Sequence, residues 1–511
     1  MKILDSFLNK ITMYRLTLYY LIFLVFVASS FGFLKLLPYN GFDIILSAIV
    51  AVVICFIANL VFSKIFKAVT NNESVFITAL ILVLIFPVKF PLNFLPIIAI
   101  SLLAMGSKYL LTVEKRHVFN PAAVAVLMLS YLSPEHSATW WIGTPIMFFP
   151  VLIGGLLMIR KIKREELSII FLTTFIILCV ISSLLHGGSL GSVFTVIQRG
   201  FLSSAALFFA FVMLTEPLTA PTTKIPRRIY AVITGIIYTT PLLRIPGLIF
   251  TPEMALIAGN IYSYIVNPKY RLDLVLHQKI AVSKDTFVFD FGKISNLKFV
   301  PGQYFEWTLP HIQLDSRGNR RYFSISSAPH ENLMMTVKFY SPSSNYKKAL
   351  LQLENGGKII ASSLSGDFVL PKNKKKPIVF IAGGVGIAPF RSMIEDIVQK
   401  KEMVDIILVF ANKTIDDILF ENTFKKAEEF GVKSYYVLTD KDKAPAGWTG
   451  PLGHIDENGL KNIVKDFNKR LFYISGPQLM VQNFEKIVMN MGVKRNHIKV
   501  DFFPGYSETS A

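Results

Sequence analysis

The chain has 511 residues, which is enough for two or three domains. Hydrophobic residues make up 52% of it and the mean hydropathy is +0.49, which is too apolar for an ordinary soluble protein. The formal net charge is +19, but the basic residues fall mainly in short loops between apolar runs, without a basic stripe interleaved with aromatic residues. We therefore exclude nucleic acid as a partner.

The only two cysteines, Cys55 and Cys179, lie inside separate apolar runs. They form neither a disulfide framework nor a clustered ligand spacing, so core packing is their expected role and we predict no metal site. A metal shared across a subunit interface stays open, because thiolates can hold iron–sulfur clusters.

The first half of the chain is a nearly unbroken series of apolar runs. A helix crosses a bilayer with about 17–25 predominantly apolar residues. The first run is too long for a signal peptide and another follows at once, so we expect it to be retained. We predict ten helices, some short enough to be broken or re-entrant, at 15–36, 42–64, 74–89, 92–112, 119–133, 143–160, 167–186, 199–216, 228–243 and 247–266.

The charges at the ends of these runs predict an orientation. With a cytoplasmic amino terminus, the outer ends carry only Lys35, Lys89, Arg199 and Arg244. The cytoplasmic ends carry many more basic residues, as the positive-inside rule expects: Lys2, Lys10, Arg15, Lys64, Lys67, Lys115, Arg116, Arg160, Lys161, Lys163, Arg164, Lys224, Arg227, Arg228, Lys269 and Arg271. We therefore expect an integral membrane protein, of a bacterial cytoplasmic membrane, with both termini in the cytoplasm.

A short pattern recurs in the two halves of the apolar region. Phe86–Pro91 resembles Glu216–Pro221, and about 35 residues later Phe119–Ala122 resembles Phe250–Glu253. Five helices per unit would make the two units inverted, and proline-interrupted segments at matching positions of inverted repeats point to a central site. Chance recurrence of proline at helix ends is the alternative. Ionisable groups at membrane depth are functional candidates, so the candidates for a redox or ion site are Asn120, Pro121, Glu216, Pro217 and Glu253.

The segments Val118–Ala123 and Thr215–Pro221 carry a family resemblance. Over residues 15–266 the chain resembles the membrane family that contains the B subunit of the sodium-translocating NADH:quinone reductase and the D subunit of the Rnf complex. The resemblance implies ten helices in a five-plus-five inverted repeat and flavin-mediated electron transfer. Members commonly carry FMN on the threonine of a Ser/Thr-Gly-Ala-Thr motif. The nearest segment, His136–Thr139, lacks the glycine, so covalent FMN on Thr139 is not expected, whereas non-covalent FMN or riboflavin stays open.

The chain becomes charged and alternating after about residue 272. Phe287–Phe291 and Tyr304–Trp307 predict strands, and residues 273–372 are expected to form an antiparallel β-barrel. The fully apolar run Pro377–Ala382 is typical of a buried parallel strand. Further strands alternating with helices predict an α/β doubly wound domain at 373–511, after a membrane domain at 1–272.

Two motifs in this half indicate cofactors. Arg321–Ser327 offers a forked cation for a pyrophosphate, an aromatic ring on the same strand face to cover a flavin ring, and hydroxyls for flavin and phosphate oxygens. Gly383–Pro389 follows the buried strand and precedes a helix, where glycines let the backbone approach a pyrophosphate. In this order and about 60 residues apart, with Gly366–Phe368 between them, the two motifs predict FAD and a nicotinamide dinucleotide.

The second half resembles the ferredoxin–NADP reductase superfamily over its whole length. The resemblance implies that Ser475–Pro477 matches a late Cys-Gly-Pro, with serine in place of the cysteine near the hydride path, and that Asp501–Tyr506 matches an aromatic segment near the flavin. The candidate catalytic residues are Ser324, Ser475 and Phe503. The candidate cofactor-binding residues are Arg321, Tyr322, Phe323, Ser324, Ser327, Phe368, Gly383, Gly384, Gly386, Pro389, Asn412, Gly476, Pro477 and Tyr506.

The segment after the second strand of the nucleotide domain favours NADH over NADPH. An NADP site usually gathers basic residues around the 2′-phosphate, whereas here Lys413 is followed by Asp416 and Asp417. The whole pattern predicts a membrane-bound FAD-dependent NAD(P)H oxidoreductase. It would pass electrons to a bound flavin, a quinone or a partner protein, and ion movement and a homo-oligomer stay open.

Two other kinds of protein are compatible with parts of this pattern. A ferric-reductase or NADPH-oxidase type enzyme would need paired histidines in membrane helices for two haems. None of the eight histidines lies in the middle of a predicted span, so no haem is expected. A transporter with a redox-regulatory flavoprotein domain stays open, because the predicted inverted repeat is also compatible with transport.

Overall fold

A computed structural model describes residues 11–66, 72–92, 94–113, 116–162, 164–187, 190–202, 205–243, 250–266, 271–311, 319–373 and 375–501. The chain divides into two compact units, Met1–Lys269 and Tyr270–Ala511. We refer to them as the amino-terminal and carboxy-terminal units.

The amino-terminal unit is helical. Its helices are apolar on most faces, which is typical of segments buried in protein or lipid, and polar N-caps define several starts: the side chains of Thr12, Asn40 and Asn120 accept hydrogen bonds from the first turns. The helices are α1 (Met13–Phe33), α2 (Gly41–Ile65), α3 (Asn72–Ile85), α4 (Phe94–Leu110), α5 (Pro121–Leu132), α6 (Phe148–Ile162), α7 (Glu165–Leu185), α8 (Leu190–Leu202), α9 (Lys224–Leu243) and α10 (Pro252–Val266).

The predicted segment 199–216 is not one straight helix. A short helix, Ala206–Phe208, follows α8 and continues into a π-helical turn, Phe209–Met213. The turn is marked by a hydrogen bond from Leu214 N to Phe209 O of 2.9 Å. Insertions of this kind in helices are frequent at functional sites.

Every predicted membrane segment overlaps a helix, but fewer than ten of the described helices are long enough to cross a membrane. Four helical segments, Met13–Phe33, Gly41–Ile65, Pro145–Ile162 and Glu165–Leu185, are long and apolar enough to cross a membrane, or five if the pair Val193–Leu202 and Ala206–Met213, bent by 61°, is one span. Helices α3 and α5 have 14 and 12 residues, below the roughly 17–25 that a span needs. Ten membrane-crossing helices therefore stay a prediction.

Two adjacent glycines on α6 allow close helix packing in this unit. A Cβ on Gly154 would overlap the ring of Tyr20 on α1, and a Cβ on Gly155 would overlap the ring of Phe211 in the π-helical turn. The hydroxyl of Tyr20 donates to Val151 O at 2.9 Å. Small residues allow such close approach where helices associate without a large hydrophobic driving force.

The first part of the carboxy-terminal unit is antiparallel, as predicted. Its strands are β1 (Arg271–Val275), β2 (Gln278–Ser283), β3 (Thr286–Asp290), β4 (Tyr304–Thr308), β5 (Arg320–Ser324), β6 (Met334–Lys338) and β7 (Lys358–Ser365), with helix α11 at Asn345–Leu351. They form a four-stranded sheet, β1-β7-β4-β5, and a three-stranded sheet, β2-β3-β6. A bridge between Ile325 and Met335 lies where β5 is followed by β6. The described strands thus form two sheets, and closure into one barrel stays a prediction.

The second part is the predicted doubly wound α/β domain. Its strands β8 (Ile378–Gly383), β9 (Ile406–Asn412), β10 (Val432–Leu438), β11 (Leu471–Ser475) and β12 (Ile498–Asp501) are parallel in the order β10-β9-β8-β11-β12. All six residues of β8 are buried, because helices lie along the sheet. These are α12 (Ala388–Lys400), α13 (Glu421–Lys426), α14 (Glu457–Ile463) and α15 (Gln478–Asn490). Strand β8 has β9 on one side and β11 on the other, which creates a topological switch point where such sheets bind ligands.

Candidate functional site

Strand β5 presents two different faces, because alternate side chains of a strand point in opposite directions. Arg321 and Phe323 are buried on one face against Tyr346 of α11: the guanidinium carbon of Arg321 lies 5.0 Å from the centre of the Tyr346 ring, and the Phe323 ring lies 6.2 Å from it. Arg321 and Phe323 therefore share one face of the strand, as predicted. A cation held over an aromatic ring is attracted by the ring's quadrupole.

Tyr322 occupies the opposite face and is the more exposed ring, at 40% against 8% for Phe323. Its hydroxyl donates to Glu306 Oε2 at 2.9 Å, and its ring lies edge-on to Tyr304 at 5.7 Å. The strand therefore offers an aromatic surface on each face.

The serines after this strand are held by other parts of the unit. Ser324 Oγ donates to Asp501 Oδ2 at 3.4 Å, so the end of β12 reaches the predicted flavin strand. Ser327 is fully buried and its Oγ accepts from Met334 N at 3.0 Å. Phe503 and Tyr506, which follow Asp501, lie outside the described residues, and their predicted roles stay predictions.

The glycines of the loop after β8 have distinct roles. Gly384 has φ +51°, a left-handed conformation that favours glycine, and a side chain there would meet open space. A Cβ on Gly386 would instead lie 2.5 Å from Ser475 O and Gly476 Cα. A Cβ on Gly383 would overlap the Met480 sulfur. Gly384 is therefore open to a ligand, Gly386 permits the two loops to touch, and Gly383 leaves room for a side chain of α15.

The contacts of Gly386 and Gly383 place the predicted residues Ser475, Gly476 and Pro477 next to the glycine loop. Ser475 ends β11 and is buried, and Pro477 is the N-cap of α15. Pro389 lies in the first turn of α12, whose N-cap, Ile387, supplies no side-chain acceptor. A 3-10 turn, Gly384–Ile387, leads directly into α12, and the amide of Ala388 already donates to Val385 O. An anion would therefore approach at the open Gly384.

Asn412 is the last residue of β9 and follows Ala411, which pairs with Gly383. Its side chain is 4% exposed, and neither Nδ2 nor Oδ1 has a hydrogen-bond partner within the described structure. A buried amide without partners costs free energy of about 1–3 kcal/mol. The amide therefore fits a ligand that supplies both a donor and an acceptor at the carboxyl edge of the sheet.

Phe368 has a packing role in this structure. It is 5% exposed, and its ring lies 5.5 Å from Phe390 and 5.3 Å from Tyr473. A Cβ on Gly302 would overlap the Phe368 carbonyl oxygen. The backbone next to Phe368 is therefore in close contact with the antiparallel part. The structure thus places the predicted cofactor residue Phe368 in the core that joins the two parts.

The sequence reasoning missed two ion pairs that join the two parts of this unit. Arg391 on α12 pairs with Glu331, and Lys338 at the end of β6 donates to Asp417 Oδ1 at 2.9 Å. Burial opposes ionisation of Asp417, but the hydrogen bond and charge of Lys338, together with the hydrogen bonds from Thr414, outweigh it and hold the pKa of Asp417 below its ordinary value. The only sequence signal was an arginine two residues after Pro389.

In the amino-terminal unit, the predicted candidates Asn120 and Glu216 meet in one buried polar cluster. Asn120 Nδ2 donates to Glu216 Oε2 at 2.9 Å, Thr219 Oγ1 donates to the same oxygen at 3.0 Å, and His117 Nε2 lies 3.4 Å from Glu216 Oε1. Asn260 Oδ1 accepts from Asn120 N at 2.9 Å. The cluster joins residues from the first predicted repeat unit to residues from the second. Pro121 begins α5, and Pro217 follows Glu216 directly.

Glu253, the third predicted candidate, lies apart from this cluster. It is 3% exposed in the first turn of α10, and its Oε2 accepts from Trp140 Nε1 at 3.1 Å. The two residues border a cavity of about 220 Å³, lined also by Leu127, Ser130, Tyr131, Ser137, Ala138, Thr251, Pro252 and Met254. The predicted segment His136–Thr139 therefore lies at this cavity. Its Thr139 N donates to Ile85 O at 3.1 Å.

No group of three metal-ligating side chains that could hold a metal ion occurs in the described part of the chain. The cofactor candidates of the carboxy-terminal unit, in contrast, converge from β5, the loop after β8, and the ends of β9 and β11.

Comparison with known proteins shows what this unit resembles. Residues 380–486 match the family model of the oxidoreductase NAD-binding domain. The chain is 28% identical over 244 residues to the flavohemoprotein of Oceanobacillus iheyensis, covering 45% of this chain and 58% of that protein. It is 26% identical over 279 residues to NADH-cytochrome b5 reductase 1 of Pyricularia oryzae, covering 51% and 89%. The cytochrome b5 reductase domain of Ulva prolifera nitrate reductase superimposes with a TM-score of 0.39 at 20% identity, covering 46% and 97%.

These matches show a ferredoxin–NADP reductase-like oxidoreductase module in the carboxy-terminal unit, and that prediction is confirmed. The chain spans a little over half the length of the flavohemoproteins that it matches. The resemblance of residues 15–266 to the membrane subunits stays a prediction.

The unpartnered amide of Asn412 gives a sharp test of the nucleotide site. In Asn412→Leu we expect NADH affinity to fall about 5- to 150-fold, as the loss of two hydrogen bonds worth about 1–3 kcal/mol together would produce. The melting temperature of the NADH-free protein should not fall, because the amide has no hydrogen-bond partner to lose among the described residues. Titration of NADH and thermal melts measure the two effects. Asn462→Leu, on the exposed surface of α14, is the control, and unchanged NADH affinity in Asn412→Leu would place the dinucleotide elsewhere.

Proposed function

We propose that the protein is a membrane-bound, FAD-dependent NAD(P)H oxidoreductase that passes electrons to a carrier in its amino-terminal unit. The observation that carries the proposal is the unpartnered Asn412 amide next to the open Gly384 loop, at the switch point of a sheet that matches oxidoreductase NAD-binding domains. The predicted flavin strand lies in the same compact unit.

The residues fit FAD and a dinucleotide in distinct ways. Arg321 would face the phosphates of FAD, and Phe323 or Tyr322 would cover its ring. Gly384 would face the dinucleotide phosphates, and Asn412 would bond to the amide or ring edge of the dinucleotide. When bound, a flavin accepts two electrons from a dinucleotide and releases them singly. The chain's own part is to orient both cofactors and to exclude water from the buried edge between them.

NADH is the proposed donor in preference to NADPH. After β9, Thr414 and Asp417 form a capping box, and the Asp417 carboxylate also pairs with Lys338. Asp416 adds a second carboxylate to this turn. Two negative charges would repel the 2′-phosphate of NADPH, which basic residues usually bind.

Arg321 tests the flavin site. In Arg321→Ala we expect FAD affinity to fall about 10- to 150-fold, since charge-assisted hydrogen bonds contribute about 1.5–3 kcal/mol. The flavin-to-protein ratio after gel filtration, from the absorbance of released flavin, measures it. Arg320→Ala is the matched control, because Arg320 is the neighbouring residue on the opposite face and pairs with Glu306 at 3.4 Å. Full flavin occupancy in the Arg321 variant would remove the assignment.

We also propose that the amino-terminal unit crosses a bacterial cytoplasmic membrane with both termini in the cytoplasm. The charge asymmetry of the loops supports this orientation. In a variant without Cys55 and Cys179, we expect an impermeant thiol reagent to label a cysteine at Glu135 in intact cells, and one at Glu166 only after permeabilisation. Both positions are exposed, at 68% and 42% of the side chain. The reverse pattern would reject the orientation.

The electron acceptor is proposed to lie near the junction of the two repeat units. Support comes from Asn120 and Glu216, which meet there although 96 residues separate them, and from the buried Glu253 beside a cavity of about 220 Å³. A bound flavin, a quinone or a partner protein would each take electrons from FAD singly.

The contact between Asn120 and Glu216 leads to a separate prediction. In Asn120→Leu and Glu216→Leu we expect FAD reduction by NADH to continue at the wild-type rate, while electron delivery to quinone in liposomes falls at least tenfold. Anaerobic stopped-flow absorbance and quinol formation measure the two steps. Asn59→Leu is the control: Asn59 is buried on α2 and accepts from Tyr109 at 2.6 Å, a polar pair that includes neither Asn120 nor Glu216. Equal loss of both steps would indicate misfolding, and unchanged delivery in folded variants would place the site elsewhere.

A further inference from the structure

One arginine connects the two parts of the carboxy-terminal unit. Arg391 lies in the first half of α12, and its Nη1 and Nη2 donate to Glu331 Oε2 and Oε1 at 2.6 and 2.7 Å. Nη1 also donates to Ser326 O at 3.0 Å. The side chains of the pair are only 12% and 18% exposed. A bidentate guanidinium–carboxylate pair fixes distance and orientation together.

The position of this pair relates it to both predicted cofactor segments. Ser326 lies two residues after Ser324 on the flavin side, and Arg391 lies five residues after Gly386 on the dinucleotide side. The next residue repeats the connection, since Ser392 Oγ donates to Ser327 O at 2.6 Å. The loop of residues 326–331 is thereby attached directly to the helix that begins at the glycine loop.

Glu331 and Arg391 are themselves fixed by further contacts. Glu331 Oε2 accepts from Ala328 N at 2.6 Å, which closes the turn after the flavin strand. The guanidinium carbon of Arg391 lies 5.5 Å from the centre of the Phe420 ring. A cation between a carboxylate and an aromatic face has little freedom to move, so the pair transmits the position of one part to the other.

We propose that Arg391 and Glu331 are positioning residues for hydride transfer: they set the distance between the flavin site and the nicotinamide site. This inference rests on the proposed function. Reacting atoms must approach to about 3–3.5 Å, and a displacement of about 1 Å can cost roughly 100-fold in rate. In the transfer, the C–H bond of the reduced dinucleotide breaks and its two electrons and proton pass together to the flavin. Arg391 and Glu331 exchange neither a proton nor an electron.

The test uses the full-length, flavin-loaded protein in detergent with Arg391→Lys, Glu331→Gln and the double variant. Arg391→Lys keeps the charge but loses the bidentate geometry. We expect flavin reduction at saturating NADH to be about 10- to 100-fold slower, with flavin occupancy and NADH affinity close to wild type. Stopped-flow absorbance with NADH and with 4-deuterated NADH measures the rate and its isotope effect, which should rise towards its intrinsic value in the variants. The double variant should be no slower than the slower single variant, because the two residues act as a unit.

Glu421→Gln is the matched control. It removes an exposed ion pair with Lys425, at 2.9 Å on α13 of the same domain, and should leave the rate unchanged. The inference is overturned if the variants lower the melting temperature while the rate per bound flavin and its isotope effect stay at wild-type values. It is also overturned if the two single effects are additive. A wild-type protein that binds FAD but is not reduced by NADH would instead overturn the proposed function, and the inference with it.

Discussion

The close contact between two βα loops is the constraint on which the cofactor site depends. Gly386 in the loop after β8 can touch the backbone of Ser475 and Gly476 only because it has no side chain. The contact holds the carboxyl ends of β8 and β11 together, which leaves Gly384 as the glycine that faces open space. A loop that had to admit a side chain at position 386 would move off the sheet, and the amides at the start of α12 would move with it.

Buried polar groups are handled differently in the two units, and the difference indicates how each could serve a ligand. Glu216 is hydrogen-bonded by Asn120 and Thr219, so a ligand there would have to join or displace bonds that already exist. Asn412 has two polar atoms without partners in the described structure, so a ligand that bonds to them removes an existing cost. A ligand at Asn412 would therefore make hydrogen bonds that the described structure leaves unmade. The hydrogen bonds of Glu216, in contrast, already join two chain segments.

Much of this architecture was accessible from sequence, for identifiable reasons. The run at 377–382 and the glycines at 383–386 specify a buried strand and a phosphate-type loop by composition alone. Asn412 was a candidate because it ends the second strand of the nucleotide domain. The pair of Arg391 with Glu331 could not be predicted, because 60 residues separate its members and charged residues give no periodic signal. Phe368 resembled a cofactor residue, and only tertiary packing showed it in a core.

The amino-terminal unit shows where apolar periodicity stops being informative. Apolar composition correctly located helices in all ten segments, but it did not predict that α3 and α5 have only 14 and 12 residues, fewer than a membrane span needs. Short helices at membrane depth leave backbone groups that protein or a cavity must satisfy. At the start of α5, Asn120 Oδ1 accepts from Ala123 N, while its Nδ2 donates to Glu216. Asn120 thus caps a short helix and joins two chain segments 96 residues apart at the same time.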